Sequence, residues 1–522
     1  MAFPWLTLAS ALLIVASFPP WGFSFLIWVS LVPWFFALNR TSHWKQAVIQ
    51  GLLLSFFINL FGFFWIASVL HEFGALPWIL SIIGFLLFSL IVQPQFICLA
   101  PFIRRSFNSK QQLSNLLGIT LLYSGTDWLL PKIFKDTLGH ALYSSPNLRQ
   151  VADLGGAPLL TALIFLINGT IYRICKKKAF LAPLIFALLM LTAAQIYGQH
   201  RRVEIENQIK KPTLSLQASA IQANIGDFDK IAAEQGMFGA AEKILDSYFS
   251  LSDAALKMPQ KPDFLVWPET AYPSTFRTPS TANEHIRDQK IDTFVQSRQT
   301  SLLFGGYDHS EGKDYNALFA LSGSNPLQIY RKNMLLLFGE YIPGADQFKF
   351  IRDAFPQVGN FGRGKGPDLL SIPLARSPQG RVLFGPVICY EALFPEYVIK
   401  AANKGSQFIL NITNDSWFGP YGEPPLHLAL VSFRSIETRL SQLRSTNTGI
   451  SALILPNGEI THPTAIGEKE ILNVKIPILE PIPTLIKKWG DWFGPWAFLL
   501  GLMILIKSYF TSYIVHLLHR HY

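Results

Sequence analysis

Three strand-like runs in this 522-residue chain end on residues able to do chemistry. DFLVW at 263–267 closes on Pro268-Glu269-Thr270, and RVLFGPVI at 381–388 closes on Cys389-Tyr390-Glu391. QFILNI at 407–412 closes on Thr413-Asn414-Asp415-Ser416-Trp417-Phe418-Gly419. A fourth polar group, Tyr330-Arg331-Lys332, follows a short strand near 327–330 and leads into Phe338-Gly339-Glu340-Tyr341. Taken singly, each has an ordinary reading. A cysteine after a buried strand is usually a small core hydrophobe. Glu269 reads as a loop or cap residue, Lys332 as a solvated charge, and NDSWFG as an Asx turn with an aromatic plug. Together they offer a nucleophile, a carboxylate base and a cation, all on loops that one layered sheet can gather.

The elements that must position them lie between about 213 and 478, where short apolar runs are punctuated by Gly, Pro, Asn and Asp. Strands are predicted at 214–222, 263–267, 301–307, 315–321, 381–388, 407–412 and 449–455, with helices at about 232–257, 283–299 and 425–443. Such alternation argues for an α/β or mixed layered domain. The rest of the chain has a different texture. Half of all residues are hydrophobic and only 15% are charged, against roughly 25% in an average soluble domain. With 42 Phe, 13 Trp and 16 Tyr, disorder is excluded. Three cysteines without a close pair make a disulfide scaffold or a cysteine zinc cluster untenable.

A helix needs about 20 apolar residues to cross the hydrocarbon core of a bilayer. Met1 to Asn39 contains no charged side chain, and Pro19, Pro20 and Gly22 divide it into two short spans, about 3–18 and 21–38. A cleaved signal peptide would need a basic start and a small-x-small cleavage site, and neither is present. Further spans are predicted at 48–70, 77–103, 156–172, 179–197 and 493–511, with a weaker one at 114–130 that carries Asp127. An aspartate facing lipid is costly, so Asp127 must face protein or water. The total is eight, seven before the layered domain and one after it. Arg40 and Lys45, then Arg104, Arg105 and Lys110, then Arg173, Lys176, Lys177 and Lys178 fall in alternate loops. That asymmetry puts both termini in the cytoplasm and the polar segment of about 198–485 on the opposite side. Much of the formal charge of +10 is therefore topological, which removes most of the support for nucleic-acid binding. The domain organisation expected is a membrane domain at 1–197, a linker at 198–212, a catalytic domain at 213–478 and a return segment with the last helix and a tail at 479–522.

WPE at 267–269, Lys332 with FGEY, ICYE at 388–391 and NDSWFG at 414–419 stand in the order used by the nitrilase (carbon–nitrogen hydrolase) superfamily. With seven helices before them and one after, the chain resembles the bacterial apolipoprotein N-acyltransferase family. RSTNTGISALILPNGEI at 444–460 is similar to that family's closing strands. The resemblance implies an integral membrane protein with eight transmembrane helices and a nitrilase-like αββα sandwich. It also implies a Glu–Lys–Cys triad of Glu269, Lys332 and Cys389, with Glu340, Tyr390 and Glu391 around it. Two departures bear on substrate fit and rate: Asn333 to Leu337 replaces a stretch where the family commonly has His and Pro, and Ile231 stands where many members have Trp.

The reaction so implied moves an acyl chain from a membrane phospholipid to the N-terminal amine of a diacylglyceryl-cysteine apolipoprotein. It needs no cofactor and no metal, and the 11 His show no HxxxH or HxH spacing in this domain. Cys389 would be the nucleophile and Glu269 the base that takes its proton. Lys332, with a backbone N–H after Cys389, would hold the tetrahedral oxyanion, an effect often worth about 3–4 kcal/mol per donor. Glu340 or Glu391 would keep Lys332 protonated. Candidate substrate-binding residues are Trp417, Phe418, Phe361 and Arg363, and Phe348, Phe350 and Phe355 with Phe361 would form a lipid-facing rim. Lys487, Lys488, Trp489, Trp492 and Trp496 read as an interfacial anchor. A monomer is expected in the bacterial inner membrane, with its catalytic domain in the periplasm. A membrane-tethered amidase or nitrilase would carry the same triad, and a non-catalytic lipid-binding protein is the remaining rival.

Overall fold

The computed structural model describes residues 4–518 except 73, 75, 109–111, 179, 235–236, 238, 280, 324, 345–346, 349, 351–352 and 354–358. Lys110 and Phe355 lie outside the described residues. The chain forms two compact units, one of Met1–Ala67, Pro77–Val203 and Lys488–Tyr522, the other of Ser68–Leu76 and Glu204–Lys487.

In the first unit, five helices among the described residues are long and apolar enough to cross a membrane: Trp44–Gly62, Trp78–Phe107, Leu148–Cys175, Leu181–Lys210 and Phe493–Thr511. The sequence predicts eight, and the other three differ for separate reasons. Pro4–Ser17 has 14 residues, about 21 Å at 1.5 Å per residue, short of the roughly 30 Å hydrocarbon core. The stretch predicted at 21–38 is broken into a 3₁₀ turn, Ser24–Trp28, and a short helix, Val32–Asn39. Gln112–Leu129 carries Asp127, whose buried carboxylate pairs with Lys132, as a charge in an apolar environment requires.

Helices Gln112–Leu129 and Phe493–Leu518 approach closely because glycine leaves room for backbone. A Cβ on Gly125 would lie 2.2 Å from the Phe498 nitrogen, and one on Gly501 would lie 2.3 Å from the Leu122 nitrogen. Lipid tails give helices no hydrophobic reason to associate, so close van der Waals fit of this kind carries the packing.

Among the described residues the second unit is built on twelve strands: β1 Leu214–Gln222, β2 Phe264–Val266, β3 Ser301–Ser310, β4 Lys313–Ser322, β5 Gln328–Arg331, β6 Leu370–Pro373, β7 Arg381–Ile388, β8 Phe408–Thr413, β9 Gln442–Thr446, β10 Ala452–Ile454, β11 Ile460–Thr461 and β12 Glu470–Ile478. They form two six-stranded sheets, ordered β12-β1-β2-β3-β4-β5 and β11-β10-β9-β8-β7-β6. In each sheet the central strands run parallel, β1, β2 and β3 in one and β7, β8 and β9 in the other.

Alternation along β2 shows how the layers stack. Phe264 meets Phe408 of the facing sheet at 5.9 Å between ring centres. Leu265 and Trp267 point the other way, into a cluster with Tyr248 and Phe294 from helices Ala240–Leu256 and Ala282–Arg298. On the second sheet, Gly385 of β7 lies against Ala401 of helix Pro395–Asn403. Parallel strands buried on both faces read as continuous apolar runs, which is why FLV, RVLFGPVI and FILNIT stand out in the sequence.

Several predicted boundaries move. The helix predicted at 232–257 is two, Asp227–Glu234 and Ala240–Leu256, the second preceded by Gly239 at φ +77°. The helix predicted at 425–443 stops at Thr438, where Arg439 turns left-handed at φ +57°, and 442–446 is strand β9 instead. Strands β6, β11 and β12 and helix Pro395–Asn403 were not predicted.

Gly125→Val should lower the thermal midpoint of the detergent-solubilised protein, with a cost of about 1–3 kcal/mol for forcing a side chain into packed backbone. Gly62→Ala is the control. Its Cβ would sit 3.5 Å from Val15, an ordinary contact, and should leave the midpoint unchanged or slightly raised.

Candidate active site

Glu269, Lys332, Cys389 and Asn414 come from four separate stretches of chain, each just past the end of a strand. Glu269 follows β2, Lys332 follows β5, Cys389 follows β7 and Asn414 follows β8. The backbone N–H of Asn414 donates to Glu269 Oε2 at 2.8 Å, so the ends of the two sheets meet at this carboxylate. Room for Glu269 comes from Gly305 on β3, where a Cβ would lie 2.6 Å from the Glu269 Cα. Trp267 roots the turn, its ring stacked on Tyr248 and its Nε1 donating to Ser252 Oγ at 2.9 Å.

The Lys332 ammonium is buried, 2% exposed, and lies between two carboxylates: Glu269 Oε1 at 3.1 Å and Glu340 Oε1 at 2.8 Å. Burial alone would push the lysine down, but Glu269 and Glu340 outweigh it and hold the group well above its ordinary value. It is therefore a fixed cation. Cys389 is buried and held at φ +50°, a strained left-handed conformation for a residue with a side chain. Burial, and next the Glu269 carboxylate, push its thiol well above its usual range, while Lys332 and the Thr413 hydroxyl pull the other way. The Cys389 thiol is therefore neutral at rest.

Glu391 ties the Lys332 segment to the Cys389 segment. Its Oε1 accepts from the backbone N–H of Asn333 at 2.6 Å and Met334 at 3.2 Å. Its Oε2 accepts from Ile388 N and Tyr330 Oη, each at 2.7 Å. Burial raises this carboxyl from 4.5 to about 7, although those donors favour its charged form. Tyr390 is buried and packs edge-on against Phe394, ring centres 5.0 Å apart. Phe361 stacks flat on Tyr307 at 5.6 Å, and its N–H donates to Glu340 O at 3.3 Å. Arg363 is exposed and lies over the Tyr341 ring. The glycine-rich run around it is docked: Gly364 N donates to Lys332 O at 2.8 Å, and a Cβ there would meet Arg331 O. Trp417 is 42% exposed, whereas Phe418 is buried. Phe338, Phe348 and Phe350 are exposed.

Sequence reasoning passed over a second set of residues. Asn316, a lone amide among the apolar residues of β4, donates to both Glu269 and Glu340. Behind Asn414, Asp415 pairs with Arg444 Nη2 at 2.7 Å and approaches His427 Nδ1 at 3.6 Å, and Glu423 reaches the same nitrogen at 3.0 Å. Burial pushes Asp415 up, yet Arg444 and His427 bring it down to about 2. Asp415, Glu423 and His427 have the donor atoms of a metal site, but the Arg444 guanidinium bonds Asp415 and comes within 3.3 Å of His427 Nδ1. A positive charge already sits where a cation would bind, so the cluster reads as an ion-pair brace under the Asn414 turn. A buried polar residue inside an apolar run was the one signal available for these positions, and it does not say which partner it meets.

The description "Apolipoprotein N-acyltransferase N-terminal domain" matches residues 10–170, and "Carbon-nitrogen hydrolase" matches residues 217–479. An apolipoprotein N-acyltransferase of Bdellovibrio bacteriovorus is 34% identical over 500 residues, covering 91% of this chain and 88% of that protein. One from Geobacter metallireducens is 28% identical over 527 residues, covering 97% and 95%. Among solved structures, a mutant amidase from Nesterenkonia sp. AN1, with the acetamide moiety of fluoroacetamide added covalently at its active-site cysteine, aligns with a TM-score of 0.38. It is 16% identical and covers 50% of this chain and 90% of that one.

The raised Glu391 carboxyl has a measurable consequence. A carboxyl raised by the fold favours its neutral form, so its contribution to stability is full below about pH 4.5 and is lost as pH climbs through about 7. Glu391→Gln should remove that decline, because an amide has no proton to lose. At pH 5 the variant should itself be less stable by about 1–3 kcal/mol, since its NH₂ must face backbone N–H donors. Unfolding measured across pH 5–8 checks both; parallel curves for the two proteins would rule out this carboxyl as the source.

Proposed function

The chain belongs to the apolipoprotein N-acyltransferase family, and on that premise we propose that it acylates the N-terminal amine of diacylglyceryl-cysteine apolipoproteins through a thioester on Cys389, with a membrane phospholipid as acyl donor. One observation carries the reading: a buried, permanently charged Lys332 shared by Glu269 and Glu340, within electrostatic reach of a buried neutral thiol.

In the first step Glu269 takes the Cys389 proton and the sulfur attacks the ester carbonyl of the phospholipid. The carbonyl oxygen becomes an oxyanion held by a Lys332 N–H and a backbone N–H following Cys389. Collapse of the tetrahedral intermediate breaks the ester C–O bond, and Glu269 returns the proton to the departing lysophospholipid oxygen. In the second step the lipoprotein amine attacks the thioester, Glu269 accepts an amine proton, and the C–S bond breaks. That proton then returns to the Cys389 sulfur, leaving an amide and the resting thiol. Glu340 keeps Lys332 charged, Glu391 and Tyr390 hold the Cys389 turn, and Trp417, Phe361 and Arg363 meet substrate while the buried Phe418 packs its turn.

The domain division we propose is a membrane domain at 1–197, a linker at 198–212, a catalytic domain at 213–478 and a closing segment at 479–522. We read the protein as a monomer in the bacterial inner membrane with eight passes, counting the short apolar stretches Pro4–Ser17 and Ser24–Asn39 and helix Gln112–Leu129 beside the five long helices, with both termini cytoplasmic and the catalytic domain periplasmic. The alternation of basic loops supports this, as does the chemistry, since both substrates are anchored in lipid.

Incubated with phospholipid, the detergent-purified protein should gain one fatty-acyl mass that hydroxylamine removes, and Cys389→Ala should gain none. Lys332→Met should slow acylation by about 10²–10³-fold through loss of an oxyanion donor. Addition of a diacylglyceryl-cysteine peptide should discharge the enzyme as the peptide gains the chain. Discharge to water with the peptide unmodified would instead make it a hydrolase.

For the orientation, Lys261→Cys and Lys45→Cys are compared in a background lacking the exposed cysteines Cys98 and Cys175. A membrane-impermeant maleimide should label Lys261→Cys in intact spheroplasts and Lys45→Cys only after lysis. The reverse pattern would invert the topology.

A further inference from the structure

We propose that Asn316 is a positioning residue for this chemistry, clamping Glu269 and Glu340 on Lys332 and leaving one Lys332 N–H for the oxyanion. The proposal rests on the acyl-transfer reading above, and the geometry behind it is independent of the substrate. Asn316 lies on β4 and is 3% exposed. Its Nδ2 donates to Glu269 Oε1 at 2.7 Å and to Glu340 Oε1 at 2.9 Å. Those same two oxygens receive the Lys332 ammonium. Ionised carboxylates only accept hydrogen bonds, so the chemistry decides which end of the amide faces them. Both amide hydrogens are thereby spent, and Oδ1 is buried with no hydrogen-bond partner among the described residues. The Asn316 backbone also takes part, its carbonyl accepting from Lys332 N at 2.8 Å.

Two carboxylates around one ammonium leave an excess negative charge in a buried site, and like charges so close tend to share a proton. A shared proton on Glu269 would abolish its use as a base. The amide supplies two further donors to those oxygens without adding charge, and hydrogen bonds of this kind favour a carboxylate's charged form. An ammonium has three N–H donors. Two are engaged by Glu269 and Glu340, and the third is what an oxyanion can use. Other ionisable groups that feel this cluster are Cys389, Tyr307, Tyr390, Glu391 and, through Cys389, Asp415.

The test compares full-length wild type, Asn316→Ala and Asn316→Ser in detergent. Iodoacetamide alkylation at Cys389 is followed by peptide mass spectrometry across pH, beside acylation by phospholipid. In Asn316→Ala the acid limb of the alkylation profile should move up by about one pH unit, so the rate at a pH on that limb should fall by up to about 10-fold. Asn316→Ser, with one O–H donor, should fall between. A folded variant with an unmoved limb, or a rate reduced equally at every pH, would overturn the proposal. Failure of both variants to fold would mark Asn316 as structural and overturn it as well. Alkylation needs no lipid. A wild type that alkylates normally but never gains an acyl chain would therefore sink the acyl-transfer reading while the Asn316 profile still stands or falls by itself.

Discussion

A buried ammonium ion is tolerable only where its lost hydration is replaced, and that requirement organises the catalytic unit around Lys332. Removing such a charge from water costs several kcal/mol even after relaxation. Glu269 and Glu340 answer it, but two carboxylates overshoot by one negative charge. The excess is spread over neutral donors: the Asn316 amide on both, the Asn414 N–H on Glu269 and the Leu336 N–H on Glu340. Each donor belongs to a different stretch of chain, so the charge balance of one lysine holds several loops in place. Burial, and next the Glu269 carboxylate, keep the Cys389 thiol protonated at rest, which suits the nucleophile role proposed above.

The layered fold is what lets those loops meet. Parallel strands β1 to β3 and β7 to β9 sit centrally in their sheets, with the apolar content of strands covered on both faces. A rigid interior leaves the strand ends as the places where unusual residues can be held without exposure. The positive φ of Cys389, and of Thr270 next to Glu269, is local strain at two of those ends. Glu391 offsets the first by collecting four donors around the turn. The Asp415–Arg444 pair, with His427 and Glu423, braces the Asn414 turn that feeds Glu269.

The membrane unit follows different physics. Without a hydrophobic drive between helices in lipid, its packing uses glycine approaches such as Gly125 on Phe498 and paired charges such as Asp127 with Lys132. In the reaction proposed above, donor and acceptor both carry acyl chains, which calls for work beside a bilayer and for a thioester kept from water. A long apolar N-terminal region and a thiol-based site in one chain are thus answers to a single chemical problem.

Much of this was legible in the sequence, because the signals were local. Uninterrupted apolar runs announced five of the membrane helices, and FLVW, RVLFGPVI and FILNIT announced the central strands that carry Glu269, Cys389 and Asn414. Residue type at a strand end made Glu269, Lys332 and Cys389 candidates together, and the resemblance to the nitrilase superfamily is what implied a triad. What the sequence could not carry was partnership across distance. Asn316 stands 47 positions from Glu269 and Arg444 stands 29 from Asp415, and no periodicity records such pairings. Composition does not record length or breaks: Pro4–Ser17 and the stretch before Asn39 are apolar, but the first has 14 residues and the second is divided into a 3₁₀ turn and a short helix. Local composition determined where apolar and reactive residues lie. Only tertiary structure decided which buried charges neutralise one another, because that balance is a property of space rather than of order along the chain.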